Sequence, residues 1–167
     1  MKKCWVFFLG LALCSCALTQ GTNAPQKRTT QTMNEQKKIA ALWYEAFETK
    51  NPDILNRILA KDWVDIPPAP NQPAGPGGAK QILVELGTTF PDLGIKIEDM
   101  VQEENKVVVR STITGTQKEP LIGFPAKNRS MSIQAIDIHE FKDGKIVRTW
   151  HTEDWMTGLH QLGVFEK

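Results

Sequence analysis

The second half of the chain alternates apolar and polar side chains like half-buried strands, at Met131 to Phe141 and again at Lys145 to Thr152. Asp143-Gly144 between these runs marks a hairpin. Ile95 to Val101 and Lys106 to Gln117 read as two further strands joined at Glu104-Asn105. Upstream the period becomes helical. Ile39, Leu42, Trp43, Ala46 and Phe47 form one apolar face of a helix that starts at Glu35, with Asn34 as its cap. Asn51-Pro52-Asp53 opens a short second helix carrying Ile54, Leu55, Ile58 and Leu59. Trp63 to Ile66 is a short strand, Pro67 to Gly78 a Pro/Gly-dense loop, and Ala79 to Phe90 a third helix. Asp154 caps a last short helix through Leu162. Helices first and a meandering sheet afterwards is an α+β pattern. A curved, mainly antiparallel sheet wrapped on three helices leaves a cavity at its open end.

The closing hairpin decides which side chains meet. A type I turn with a G1 bulge at Gly144 sets Phe141 opposite Lys145, Asp137 opposite Thr149 and Ala135 opposite His151. All then share one sheet face, with Asp137 diagonal to His151 and in hydrogen-bond reach. A tight two-residue loop would instead slip the register by one and point the two apart.

The 167 residues suffice for one domain with a substantial core. Twenty basic against 19 acidic side chains give a net charge of +1, and no basic patch with interleaved aromatics appears, so no nucleic-acid partner is expected. Residues 1–16 read as a lipoprotein-type signal. Lys2 and Lys3 precede a short apolar run, and Leu13-Cys14-Ser15-Cys16 looks like a lipobox with Cys16 as the lipidated residue. An ordinary cleaved secretory signal is the other reading. Residues 17–33, rich in Thr, Gln and Asn, read as a flexible tether to a domain over 34–167. The expected location is therefore the bacterial cell envelope, lipid-anchored on the periplasmic face or cell surface. Cys4, Cys14 and Cys16 are the only cysteines, which leaves the domain no disulfide and no thiolate ligand.

From Asn34 to Gly163 the wording and order resemble the SnoaL-like polyketide cyclases, or predicted ester cyclases, of the NTF2-like superfamily. The resemblance rests on Gly75-Pro76-Gly77-Gly78, Phe90-Pro91-Asp92-Leu93, Val107-Val108-Val109-Arg110, Gly115-Thr116, Gly123-Phe124-Pro125, Asp143-Gly144-Lys145-Ile146-Val147 and Gln161-Leu162-Gly163. It implies a cone-shaped α+β fold, one deep apolar pocket and often a homodimer. It also implies an acid/base Asp on the last strand for an intramolecular aldol closure, without a cofactor. Counted from the turn, that position holds His151, and the family's His on the preceding strand falls on Asp137. A pocket Asn of the family falls on Asp65, and a His after Gly-Thr is replaced by Gln117.

Two functions follow from these residues. The first is a cofactor-free cyclase, isomerase or hydrolase acting on a small apolar carbonyl compound. His151 would move the proton, Asp137 would orient it, and Asp65, Gln117 and Trp63 would hold substrate. The second is an anchored NTF2-like domain that binds a small apolar ligand or a protein partner and catalyses nothing. Trp150 should face away from His151, and His139, near the turn, is expected in solvent. No zinc site is expected, because His139, His151 and His160 do not converge.

Overall fold

The computed structural model describes residues 24–166, with side chains from residue 35 onward. Residues 1–16, read as a signal, with Cys16 among them, lie outside the described residues. Helix α1 runs Ala24–Glu48 and so starts well before the expected Glu35. Residues 24–33, read as part of the tether, belong to this helix, and Asn34 lies inside it rather than capping it. Pro25 sits in the first turn, where a missing N–H is harmless, and nothing between it and Glu35 breaks a helix. The α1 face towards the sheet buries Ala40, Tyr44, Ala46 and Phe47.

Asn51 caps α2 (Pro52–Ile58) by accepting from the Asp53 N–H, as its position before proline predicts. Strand β1 (Leu59–Ile66) follows without a break and starts four residues ahead of the expected Trp63. The Pro-rich loop after it ends at α3 (Pro76–Thr89). Gly75 opens that helix at φ +69°, and a Cβ there would meet the Lys61 carbonyl oxygen at 2.7 Å. A Cβ on Gly78 would meet the Pro73 carbonyl oxygen at 2.2 Å. The Gly-Pro-Gly-Gly run thus folds the loop tightly against β1.

Strands β2 (Gly94–Glu103), β3 (Lys106–Thr116), β4 (Ser130–Lys142) and β5 (Lys145–Glu153) form an antiparallel meander, and α4 (Trp155–Gln161) closes the fold. The sheet order is β1-β5-β4-β3-β2, with β1 parallel to β5. One face carries the core against the helices. The other holds Trp150, beneath the Lys106 ammonium and the Arg148 guanidinium, so it does face away from His151.

The closing hairpin departs from the expected geometry in an instructive way. Lys142 pairs with Lys145 across a tight two-residue turn, and Asp143 and Gly144 both take positive φ, at 50° and 73°. The irregularity lies further up, between the Phe141–Ile146 and Glu140–Arg148 pairs, so Val147 is the extra residue. A tight turn alone would put Asp137 and His151 on opposite faces. The bulge restores the parity and sets Asp137 directly opposite His151 rather than opposite Thr149.

Candidate active site

The inner row of β4 runs Met131, Ile133, Ala135, Asp137, His139 and Phe141, all buried. Asp137 lies between Val109 of β3 and His151 of β5, and Ala135 between Ser111 of β3 and Glu153 of β5. Four polar residues therefore surround a single methyl group. A larger apolar residue at 135 would fill the space that alanine leaves open. A cavity of about 90 Å³ occupies this region, with Trp43, Tyr44 and Phe47 of α1 on its apolar side. A second, larger groove of about 760 Å³ is lined by the Pro67–Pro70 loop, α3 and residues 119–122. Asp65, His151 and Glu153 border both spaces and form the neck between them.

Both ring nitrogens of His151 face acceptors. Nδ1 is 2.9 Å from Glu153 Oε1, and Nε2 is 2.9 Å from the Pro67 carbonyl oxygen. Neither partner can donate in its usual state, so both nitrogens must carry protons, which only the imidazolium provides. Asp65 Oδ1 stands 3.3 Å from Nε2 as an ion-pair neighbour, although the N–H is aimed at Pro67. Asp65, then Glu153, outweigh the partial burial of the ring and push its pKa up to about 11. The expected hydrogen bond from His151 to Asp137 is not formed, because His151 uses both its nitrogens elsewhere.

Asp137 is bonded instead to Tyr44, whose hydroxyl donates to Oδ2 at 2.8 Å. Burial pushes its carboxyl pKa up to about 7; the Tyr44 bond opposes the shift, Glu153 and Asp65 add to it, and the His151 charge opposes it. Burial and the Asp137 charge hold the Tyr44 phenol far above its usual range. His139 corrects the expectation of solvent exposure: it is 0% exposed, and burial pushes its pKa down to about 3. Its Nε2 is 3.2 Å from the Tyr44 hydroxyl and its Nδ1 3.1 Å from Thr149 Oγ1, which also accepts from Trp63 Nε1 at 3.1 Å.

The two ends of this chain fix its direction. An indole can only donate and an ionised carboxylate can only accept. Trp63 thus donates to Thr149, Thr149 to His139 Nδ1, His139 Nε2–H to Tyr44, and Tyr44 to Asp137. A neutral imidazole protonated on Nε2 is the form that completes it, in agreement with the depressed pKa.

Trp63 is accordingly a buried anchor of this chain and stands outside the lining of both spaces. Gln117 is fully buried and also stands outside; its side-chain amide donates to the Glu119 and Phe124 carbonyls and braces the segment that walls the groove. Asp65 is at the neck, with Oδ2 accepting from Gln72 at 2.8 Å and Oδ1 without a hydrogen-bond partner. Three site residues escaped the sequence reading: Tyr44, Glu153 and Ser111. Strand parity pointed to Glu153, two residues beyond His151, and to Ser111, a hydroxyl in the same inner row as Val107 and Val109. Among the described residues, no group of three or more His, Cys, Asp or Glu is placed to hold a metal ion. Nor is any helix among them long and apolar enough to cross a membrane.

Solved structures place this geometry in a family. TsrD of Streptomyces laurentii is 27% identical, with a TM-score of 0.74 over 78% of this chain and 96% of its own. A candidate polyketide cyclase of Bacillus cereus is 28% identical, with a TM-score of 0.69 over 78% and 81%. IdmH, a candidate polyketide cyclase of Streptomyces antibioticus, is 26% identical, with a TM-score of 0.66 over 77% and 99%. No curated protein matches the chain. The family model for the SnoaL-like polyketide cyclases matches residues 37–162, and with that span covering the whole sheet and all the site residues, the chain belongs to that family.

Proposed function

We propose that this protein carries out a cyclase-type reaction on a small apolar carbonyl compound, with Asp137 moving the proton and His151 serving as a fixed cation. Family membership supports a cyclase-type function in general. The roles of the two residues rest on one observation: His151 has both nitrogens committed to acceptors, while Asp137 lines the cavity with a pKa near 7. A base is most effective when its pKa lies near the working pH. An imidazolium with a pKa of about 11 has no lone pair to offer and is a poor acid.

In this scheme the Asp137 carboxylate takes a proton from the carbon beside a substrate carbonyl. The electron pair moves onto the carbonyl oxygen as an enolate, and the His151 imidazolium, directly opposite Asp137 in the sheet, lowers the cost of that charge. The enolate carbon attacks a second carbonyl of the same molecule, closing a carbon–carbon bond. The resulting alkoxide takes the proton back from Asp137, so the group returns to its starting state. The apolar wall of Trp43, Tyr44 and Phe47 suits a greasy substrate. A lipid anchor at Cys16 would place this chemistry at the cell envelope; incorporation of a fatty-acid analogue tests that part, and an unlabelled mature protein rejects it.

The direct test is hydrogen–deuterium exchange at the carbon beside the carbonyl of methyl isobutyl ketone, followed by NMR. The protein should accelerate exchange, with a rate that rises with pH through about 7. An exchange rate equal to that in buffer, or one that Asp137→Asn leaves unchanged, contradicts the proposal.

A further inference from the structure

Two buried polar atoms at this site have no hydrogen-bond partner in the protein: Ser111 Oγ and Asp65 Oδ1. Ser111 is only 1% exposed, yet it borders the inner cavity. A buried hydroxyl without a partner is costly and is rare in folded proteins. Asp65 lines the neck, and the cationic N–H nearest its Oδ1, on His151 Nε2 at 3.3 Å, points at the Pro67 carbonyl instead. The two atoms differ in what they need. A carboxylate oxygen can only accept, so it requires a donor. A hydroxyl can donate to a carbonyl.

Sheet register fixes their order. Ser111 is opposite Ala135 and diagonal to Asp137, which places it within about 7–8 Å of the proposed base, and it borders the inner cavity but not the groove. Asp65 borders both the cavity and the groove and lies on the open side. We infer that Ser111 and Asp65 are the two polar anchors of the ligand, Ser111 donating to a carbonyl oxygen in the inner cavity and Asp65 accepting from a hydroxyl or enol O–H at the neck. The inference rests on the proposed function and adds a substrate class to it: a β-hydroxy carbonyl compound or its enol, with the rest of the molecule lying in the outer groove. The class also fits the chemistry, since a β-hydroxy carbonyl is what an aldol closure produces.

Three small probes of one skeleton separate the two anchors. Diacetone alcohol has both the carbonyl and the β-hydroxyl, methyl isobutyl ketone lacks the hydroxyl, and the carbinol 2-methylpentan-2-ol keeps the tertiary hydroxyl and lacks the carbonyl. Affinities are measured by NMR titration of the full-length protein. Diacetone alcohol should bind about tenfold more tightly than methyl isobutyl ketone, the worth of one hydrogen bond to a charged group. Ser111→Ala should weaken both carbonyl probes about three- to tenfold and leave the carbinol unchanged. Asp65→Ala should remove the preference for the hydroxyl. Without any probe, Ser111→Ala should keep or raise the Tm, because it deletes an unpaired buried group.

Equal binding of ketone and hydroxy ketone overturns the inference, and so does unchanged carbonyl affinity in Ser111→Ala. A lowered Tm in that variant, or no binding by any probe up to its solubility, also overturns it. The outcome is separable from that of the proposed function. Ser111-dependent binding together with exchange that ignores Asp137 leaves the anchors standing and removes the base. Loss of exchange in Asp137→Asn with binding indifferent to Ser111 does the reverse.

Discussion

Two histidines on one face of the same sheet, His139 and His151, end up in opposite charge states. His139 is fully buried, with a hydroxyl at each ring nitrogen and a pKa pushed down to about 3. His151 sits at the neck with an acceptor at each nitrogen and a pKa pushed up to about 11. Hydroxyls adapt to a neutral ring because each can donate or accept, whereas acceptor-only groups demand an N–H at both ends. The partners, rather than the residue type, therefore decide what each imidazole can do. Neither is a conventional base, and the group left to titrate near neutrality is the carboxyl between them, Asp137.

Asp137→Asn breaks this contrast most severely. It keeps an acceptor for the Tyr44 hydroxyl but cannot take a proton, and exchange should fall by about 10²–10⁴-fold. The same variant should show an unusual stability profile. A carboxyl whose folded pKa of about 7 lies above its ordinary value of 3.8 weighs against the fold once ionised. Wild-type stability therefore falls as pH rises from about 4 to 7, and Asp137→Asn should gain roughly 4 kcal/mol over wild type at pH 8 and nothing below about pH 4. His139 works in the other direction, since its depressed pKa makes acid unfavourable from about 6.5 down to 3. Removing Asp137 should thus expose a steeper acid limb in urea unfolding curves.

A smaller effect is expected from Tyr44→Phe. It leaves the Asp137 oxygen and the His139 N–H without their partner, at a cost of about 1–3 kcal/mol in denaturation. Because the Tyr44 bond holds the Asp137 pKa down, the rising limb of the exchange profile should move to higher pH. The smallest change in stability belongs to His151→Gln, whose half-buried, partly screened charge contributes on the order of 1 kcal/mol. A raised histidine pKa contributes fully below about 6.5 and is lost as pH climbs through about 11. The gap between wild type and this variant should be widest in mild acid and close in strong base.

The alternation of β4 and β5 was legible because it is a local pattern, and the α+β class followed from the order of the elements. The shared face of Asp137 and His151 was also expected, but through a different turn. A bulge at Val147 leaves no composition signal, so the exact pairing could not be read. Burial of His139 could have been, since Phe141 lies nearer the turn in the same row and is itself buried. Tyr44 lies beside the apolar stripe of α1, and Ala40 one turn earlier and Phe47 three residues later share its buried face. The pairing of Tyr44 with residues 93 and 95 positions away depends on how α1 crosses the sheet, which no local pattern encodes. Gln72 was similarly invisible as the partner of Asp65, because that hydrogen bond is set by the loop after β1.

The most direct test of the central claim is a pH titration of the imidazole nitrogen resonances of His151 from about pH 5 to 9. Two protonated nitrogens and no titration over that range are the predicted result. One bare nitrogen, or a transition near the ordinary histidine value, would return the proton-transfer role to His151 and contradict the assignment of Asp137.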